Sequence, residues 1–183
     1  MPLHRGRQTG SEVAGVSQPP SRAHLLEGVY RFVIAACRRR EVLRIAMVGS
    51  LATAKSDPKD ADVLVTVEPS ADLATLARLG RTLKGHTQQR NRGADIFLAE
   101  PPDRYIGRTC QWRECAPGIR AACQADHCGL RHHLNDDLRV IALPATLVQA
   151  PPIELWPKVI RRLTPPADVV ELLLRRLSIA AAE

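Results

Sequence analysis

The stretch Val48-Gly49-Ser50-Leu51-Ala52-Thr53-Ala54-Lys55-Ser56-Asp57-Pro58-Lys59-Asp60-Ala61-Asp62-Val63-Leu64-Val65 ends an apolar run in a Gly-Ser turn and crosses a polar loop. It then resumes as carboxylates alternating with apolar residues. It reads as a strand from Leu43 to Val48, a loop, and a strand from Asp62 to Val67. Residues two apart in a strand point to one face, so Asp60 and Asp62 hold their carboxylates side by side where the second strand begins. Anions that close repel, and a fold keeps them together mainly where a divalent cation neutralises them. The plain alternative is a solvated turn acid at Asp60 and a strand-edge acid at Asp62.

The flanking residues bear on that choice. A glycine at Gly49 lets backbone approach a ligand closely, and the N–H groups around Gly49 and Ser50 suit phosphate oxygens. Downstream, Gly93-Ala94-Asp95-Ile96-Phe97-Leu98-Ala99 is a second short apolar run with one acid near its start. If that strand lies beside the Asp62 strand, Asp95 becomes a third carboxylate on the same patch. Lys55 and Lys59 lie in the loop between the strands and are candidate phosphate contacts, although exposed lysines are usually solvated.

Gly-Ser, nine intervening residues, Asp-Ala-Asp followed by Val-Leu-Val, and a later strand bearing Asp95 together resemble the nucleotidyltransferase superfamily of the DNA polymerase β type. The closest likeness is to its small stand-alone bacterial members, the minimal nucleotidyltransferases. The resemblance covers about residues 25–100. The chain carries Ala54 where the family commonly has a glycine, and Lys59 where it often has a serine. The resemblance implies that Asp60, Asp62 and Asp95 bind Mg²⁺, and that Gly49 and Ser50, with Lys55, hold the phosphates of a nucleoside triphosphate. It also implies that Asp95 draws the proton from an acceptor hydroxyl on protein, RNA or a small molecule. It equally permits a non-catalytic binding protein of the same fold, such as an antitoxin-like partner of a toxin. The presence of all three acids favours the enzyme.

At 183 residues the chain suffices for one well-buried core with appended segments. A net charge of +7 implies an anionic partner. Two Phe, two Trp and two Tyr are few for a single-strand stacking platform, which ranks a nucleotide pocket above a nucleic-acid surface. Residues 1–20, rich in Gly, Ser, Gln and Pro, read as a disordered tail without a targeting segment, and no apolar run has membrane-spanning length. The expected location is cytoplasmic.

The expected fold is α/β (α+β): a small mixed sheet with flanking helices, a Cys/His-rich segment and C-terminal helices. The nucleotidyltransferase-like domain is expected over residues 21–145, including the Cys/His segment 108–135, with a C-terminal helical segment over 146–183. Ser21 is expected to N-cap a helix whose apolar stripe runs from Leu25 to Cys37. A second helix is expected over Ala71 to Leu83, with Arg78 and Arg81 outward. Leu138 to Leu143 reads as a further strand, Pro152 to Leu163 as a short helix, and Ala167 to Ala182 as a last one. That last helix is apolar around much of its circumference, so it either packs on the domain, the favoured reading, or offers a protein partner a surface.

Four of the five cysteines, Cys110, Cys115, Cys123 and Cys128, fall in one segment with His127, and His132 and His133 follow. Thiols kept reduced in a cytoplasmic protein point to a structural zinc site more than to disulfides. On a helix, Cys123 pairs with His127 and Cys128 with His132, so more than one ligand set is open. The bland reading is that the thiols pack as small apolar groups. Elemental analysis of purified protein should find about one zinc per chain, and less than about a tenth of an equivalent would remove the zinc reading.

Overall fold

Asp60-Ala61-Asp62-Val63-Leu64-Val65 forms the middle of a seven-stranded sheet in the computed structural model, which describes residues 20–113, 115 and 131–180. In chain order the elements begin α1 (Pro20–Ala36), β1 (Val42–Val48), a 3₁₀ turn (Ser50–Ala52), β2 (Asp60–Val67) and α2 (Ala74–Gln88). They continue with β3 (Gly93–Glu100), β4 (Arg104–Thr109), β5 (Leu134–Asn135), α3 (Ala145–Gln149), β6 (Ile153–Trp156) and β7 (Ile160–Arg161). The C-terminal helix has an α-helical turn Ala167–Val169, a π-helical stretch Val170–Leu174 and an α-helical end Arg175–Ala180. The sheet order is β5-β4-β3-β2-β1-β6-β7. Among the described residues, only β2 and β3 pair in parallel, and α2 is the crossover that a parallel pair requires. The mixed sheet with flanking helices agrees with the expected class.

β2 is apolar at nearly every position beyond Asp62 because both of its faces are covered there. Ala61, Val63, Val65 and Val67 join the main core with Leu25, Leu26 and Val29 of α1 and Leu76 and Leu83 of α2. Leu64 points the other way, into a smaller cluster with Ala46, Val48, Phe97, Ala99 and Val148 of α3. Ile141, Leu143 and Leu147 pack on that cluster, so the segment leading into α3 covers half of the second face. The other half, at the start of β2 and β3, carries Asp60, Asp62 and Asp95.

Several expected elements differ. α1 starts at Pro20, one residue before the expected Ser21 cap, consistent with proline's fixed φ in a first helical turn. α2 starts later than Ala71 because the Asp72 carboxylate accepts from the Ala74 amide at 2.9 Å and sets the first turn there. Pro152 to Leu163 is not a helix but contains β6 and β7. Pro157 would fall inside such a helix without an N–H to donate, whereas the edge of β1 offers an antiparallel partner. Leu138 to Leu143 is turn and coil, since the edge of β4 is taken by Leu134 and Asn135. The tail before residue 20 and the Pro117-Gly118 turn lie outside the described residues.

Val169, Leu173, Leu174 and Leu177 of the C-terminal helix are buried in the main core, so its apolar side is spent on the domain. One buried ion pair fixes that packing. Arg22 of α1 donates through Nε to Asp168 Oδ2 at 2.5 Å and through Nη2 to Asp168 Oδ1 at 3.2 Å. Its remaining N–H groups go to the carbonyls of Leu51 (3.2 Å), Thr53 (3.2 Å) and Lys55 (2.6 Å) in the β1–β2 loop. The guanidinium is thereby satisfied on every side, as a buried charge requires.

α1 also meets α2 through His24 and His86, whose rings stack with centroids 3.8 Å apart. Each Nε2 donates to the other residue's carbonyl, at 2.7 and 3.0 Å. Asp168→Ala should lower unfolding free energy by about 3–5 kcal/mol, because it leaves the Arg22 charge buried without its partner. Glu171→Ala, which removes the exposed pair with Arg175, should change it by less than about 0.5 kcal/mol in the same urea titration.

Candidate active site

The parallel register sets Asp62 directly opposite Asp95, with Asp60 opposite Gly93. On the other side of β2, Val48 is the register partner of Asp62, so one row across the sheet reads Val48, Asp62, Asp95. Asp60 is exposed, while Asp62 and Asp95 are half-buried. The three acids therefore share one face and one end of the sheet, where the covering layer from α3 stops.

Two glycines make room for the carboxylates. Gly49 has φ +68°, a region that side chains with a Cβ seldom adopt, and a Cβ there would stand 2.2 Å from Asp62 Oδ2. A Cβ on Gly93 would stand 2.1 Å from Asp60 Oδ1. The Gly-Ser turn thus passes directly beneath an acid of the next strand. Ser50 opens the 3₁₀ turn whose Leu51 and Ala52 are buried, and Thr53 donates back to the Ser50 carbonyl at 2.8 Å. Arg22 grips the same loop from below.

Burial, followed by the charges of Asp60 and then Asp95, pushes the Asp62 carboxyl up to about 7 from its usual 3.8. Asp95 has compensation: Arg108 Nη1 of β4 lies 3.3 Å from its Oδ1, and Gln111 Nε2 lies 3.5 Å from the same oxygen. Of the loop lysines, Lys59 pairs with Asp57 at 2.9 Å, as does Arg92 at 2.6 Å. Those partners, Lys59 first, hold the Asp57 carboxyl below the usual range. Lys55 is exposed, its backbone carbonyl taken by Arg22.

Among the described residues, no group of three or more His, Cys, Asp or Glu side chains is drawn together closely enough to enclose a metal ion. The three aspartates share a field without forming a closed cage. In the Cys/His segment, Cys110 is buried and its amide donates to the His133 carbonyl at 2.7 Å. The His133 amide donates to Cys115 Sγ at 2.9 Å, and His132 Nδ1 lies 3.0 Å from the Cys115 carbonyl. His133 Nδ1 is buried and lacks a hydrogen-bond partner among the described residues. Burial, with Arg81 nearby, keeps His133 below the usual imidazole range. Cys123, His127 and Cys128 lie outside the described residues.

Arg108 and Gln111 escaped the sequence reading because β4 has no strong apolar alternation, only Ile106 and a glycine inside a polar run. Arg22 was not singled out either; a charged residue at the head of an apolar helical stripe is the signal that points inward. Comparison of the chain with protein-family models, with curated proteins and with solved structures finds no match. Among the described residues, no helix is long and apolar enough to cross a membrane.

Because the folded state binds the Asp62 proton more tightly than the unfolded chain does, that group's contribution to stability is full below pH 3.8. It is lost as pH rises toward about 7. Asp62→Asn should therefore abolish this part of the pH dependence and make the metal-free protein more stable than wild type at about pH 8, measured by urea unfolding with a chelator present. Gly49→Ala should cost about 1–3 kcal/mol, since it combines a strained φ with displacement of the Asp62 carboxylate.

Proposed function

We propose that the protein is a Mg²⁺-dependent nucleotidyltransferase of the polymerase β type, moving a nucleoside monophosphate from a triphosphate to a hydroxyl acceptor. The observation that carries the reading is the row of acids on one open face: Asp60 and Asp62 on β2, with Asp95 facing Asp62 in register on β3. An apolar environment holding Asp62 against two other carboxylates is unfavourable unless positive charge arrives with a ligand. The donor set is hard oxygen, and Mg²⁺ fills the positions that carboxylates leave with phosphates and water rather than needing a full protein cage, so an open set suits it. Asp60, Asp62 and Asp95 would hold the ion, which when bound supplies charge stabilisation to the attacking and leaving oxygens.

The chain's own residues account for the rest. Gly49, free of a Cβ, lets the Gly49-Ser50 backbone lie against the acids where the terminal phosphates bind, and Lys55 stands exposed in the same loop. Asp95 has both of its close contacts on Oδ1, which leaves Oδ2 to accept the acceptor's proton. The acceptor oxygen then bonds to the α-phosphorus as the bond from that phosphorus to the bridging oxygen breaks, and pyrophosphate carries away the electron pair. Arg108, 3.3 Å from Oδ1, holds the Asp95 carboxylate in place.

A structural zinc in the Cys/His segment is a separate proposal. It rests on the clustering of Cys110 and Cys115 with the cysteines and histidines that follow in the sequence. Four of Cys110, Cys115, Cys123, Cys128 and His127 would complete a tetrahedral site.

Binding of each nucleoside triphosphate analogue should require Mg²⁺ in isothermal titration and disappear in Asp60→Asn and Asp62→Asn. Transfer of α-phosphate label to acceptors in a cell extract should fall at least about 100-fold in both variants, the scale of losing metal-held charge stabilisation. Label transfer and binding that survive both substitutions would overturn the assignment.

A further inference from the structure

What Arg22 holds beneath the loop between the Gly-Ser turn and β2 is backbone. Its Nη1 donates to the Thr53 and Lys55 carbonyls at 3.2 and 2.6 Å, and Nη2 to the Leu51 carbonyl at 3.2 Å. Asp168, itself buried, takes the other two bonds. From Thr53 to Ser56 every residue is exposed, so no core packing shapes this stretch. Its conformation is set by those carbonyl contacts and by Thr53, whose Oγ1 donates to the Ser50 carbonyl at 2.8 Å and accepts from the Lys55 amide at 3.3 Å.

A trans peptide unit points its C=O and N–H in opposite directions. The Thr53–Ala54 and Lys55–Ser56 units are trans, and both turn their carbonyls inward to Arg22, so the Ala54 and Ser56 amides turn outward. Among the described residues neither amide has a hydrogen-bond partner, whereas those of Ala52, Thr53 and Lys55 are taken. Two outward N–H groups on either side of the exposed Lys55 are a donor set for an anion. Stability alone does not call for the arginine. Apolar residues of similar volume often replace a buried ion pair without loss, but they cannot supply directed N–H bonds to three separate carbonyls.

We propose that Arg22 is a positioning residue for the triphosphate: anchored by Asp168, it turns the Ala54 and Ser56 amides toward the terminal phosphate oxygens. Phosphate affinity is thereby coupled to the docking of the C-terminal helix, which carries Asp168. Lysine cannot take the place of Arg22, because its N–H bonds converge on one nitrogen and do not span a carboxylate and three carbonyls. The ligand rests on the nucleotidyltransferase reading, whereas the hold of Arg22 on the loop stands apart from it.

The test compares wild type, Arg22→Lys, Ala54→Pro and Leu177→Ala at a temperature well below every melting midpoint. Leu177→Ala loosens the packing of the C-terminal helix without touching Arg22, and so controls for lost stability. Thr53 has φ −108° and ψ 175°, the extended backbone that a residue before proline needs, so Ala54→Pro removes one N–H without disturbing Thr53. The α,β-methylene analogues of ATP, GTP, CTP and UTP are titrated separately with Mg²⁺. Arg22→Lys and Ala54→Pro should each weaken binding at least about tenfold, the scale of a hydrogen bond to a charged group, and Leu177→Ala should bind like wild type. In label transfer the loss should fall on KM, with kcat unchanged within about threefold. Without any ligand, trypsin should cut after Lys55 at least about tenfold faster in Arg22→Lys than in wild type or Leu177→Ala, because a protease must draw the Lys55 carbonyl into its own oxyanion hole. Cleavage no faster in Arg22→Lys, or faster cleavage with unchanged triphosphate affinity, would overturn the positioning role. So would wild-type affinity in Ala54→Pro or an equal loss in Leu177→Ala. Wild type that binds no analogue would overturn the nucleotidyltransferase reading and this ligand with it, while the cleavage rates still report the hold of Arg22 on the loop.

Discussion

Arg22 ties together parts of the chain that sequence keeps far apart. Its side chain is 5% exposed, and its guanidinium joins α1, the loop after the Gly-Ser turn and Asp168 at the head of the C-terminal helix. A buried charge is tolerated only when paired and fully hydrogen-bonded, so these three pieces must assemble together or leave an arginine unsatisfied. The loop that runs beneath Asp62 takes its shape from this interaction. The position of Gly49 against the carboxylate is therefore linked to a residue at the far end of the chain.

The sheet is asymmetric between its two faces, and the asymmetry creates the site. Helices α1, α2 and the C-terminal helix cover one face along its length. On the other face the small cluster around Leu64, Phe97 and Val148 covers only part, and the uncovered end is where the acids stand. Partial burial strengthens their mutual repulsion, which is why Asp62 is pushed up to about 7 while remaining within reach of solvent. The proposed cation-bearing ligand would relieve that repulsion.

Much of the central unit was legible because its signals are local. The alternation through Asp60 and Asp62, the glycine at 49 and the apolar run after Gly93 specify strands and a tight turn by period and backbone freedom alone. The failures came where the deciding partner lies far away. Ile153-Glu154-Leu155-Trp156 is too short for its period to separate helix from strand, and it is a strand because β1 has an open edge beside it. Leu138 to Leu143 has the composition of a strand but finds no edge. Arg108 and Gln111 became neighbours of Asp95 only through antiparallel pairing of β3 with β4.

The sequence by itself determined the paired acids on one strand face, the glycine beneath them and the mixed α/β class, since residue period and backbone permissiveness are local properties. Only the tertiary structure decided that Asp95 stands opposite Asp62, that Arg22 is buried rather than solvated, and that Arg81 and Lys84 of α2 share a narrow cleft with Asp95. Each of these depends on register, burial or convergence between elements separated in the chain, and no local pattern of residues encodes them.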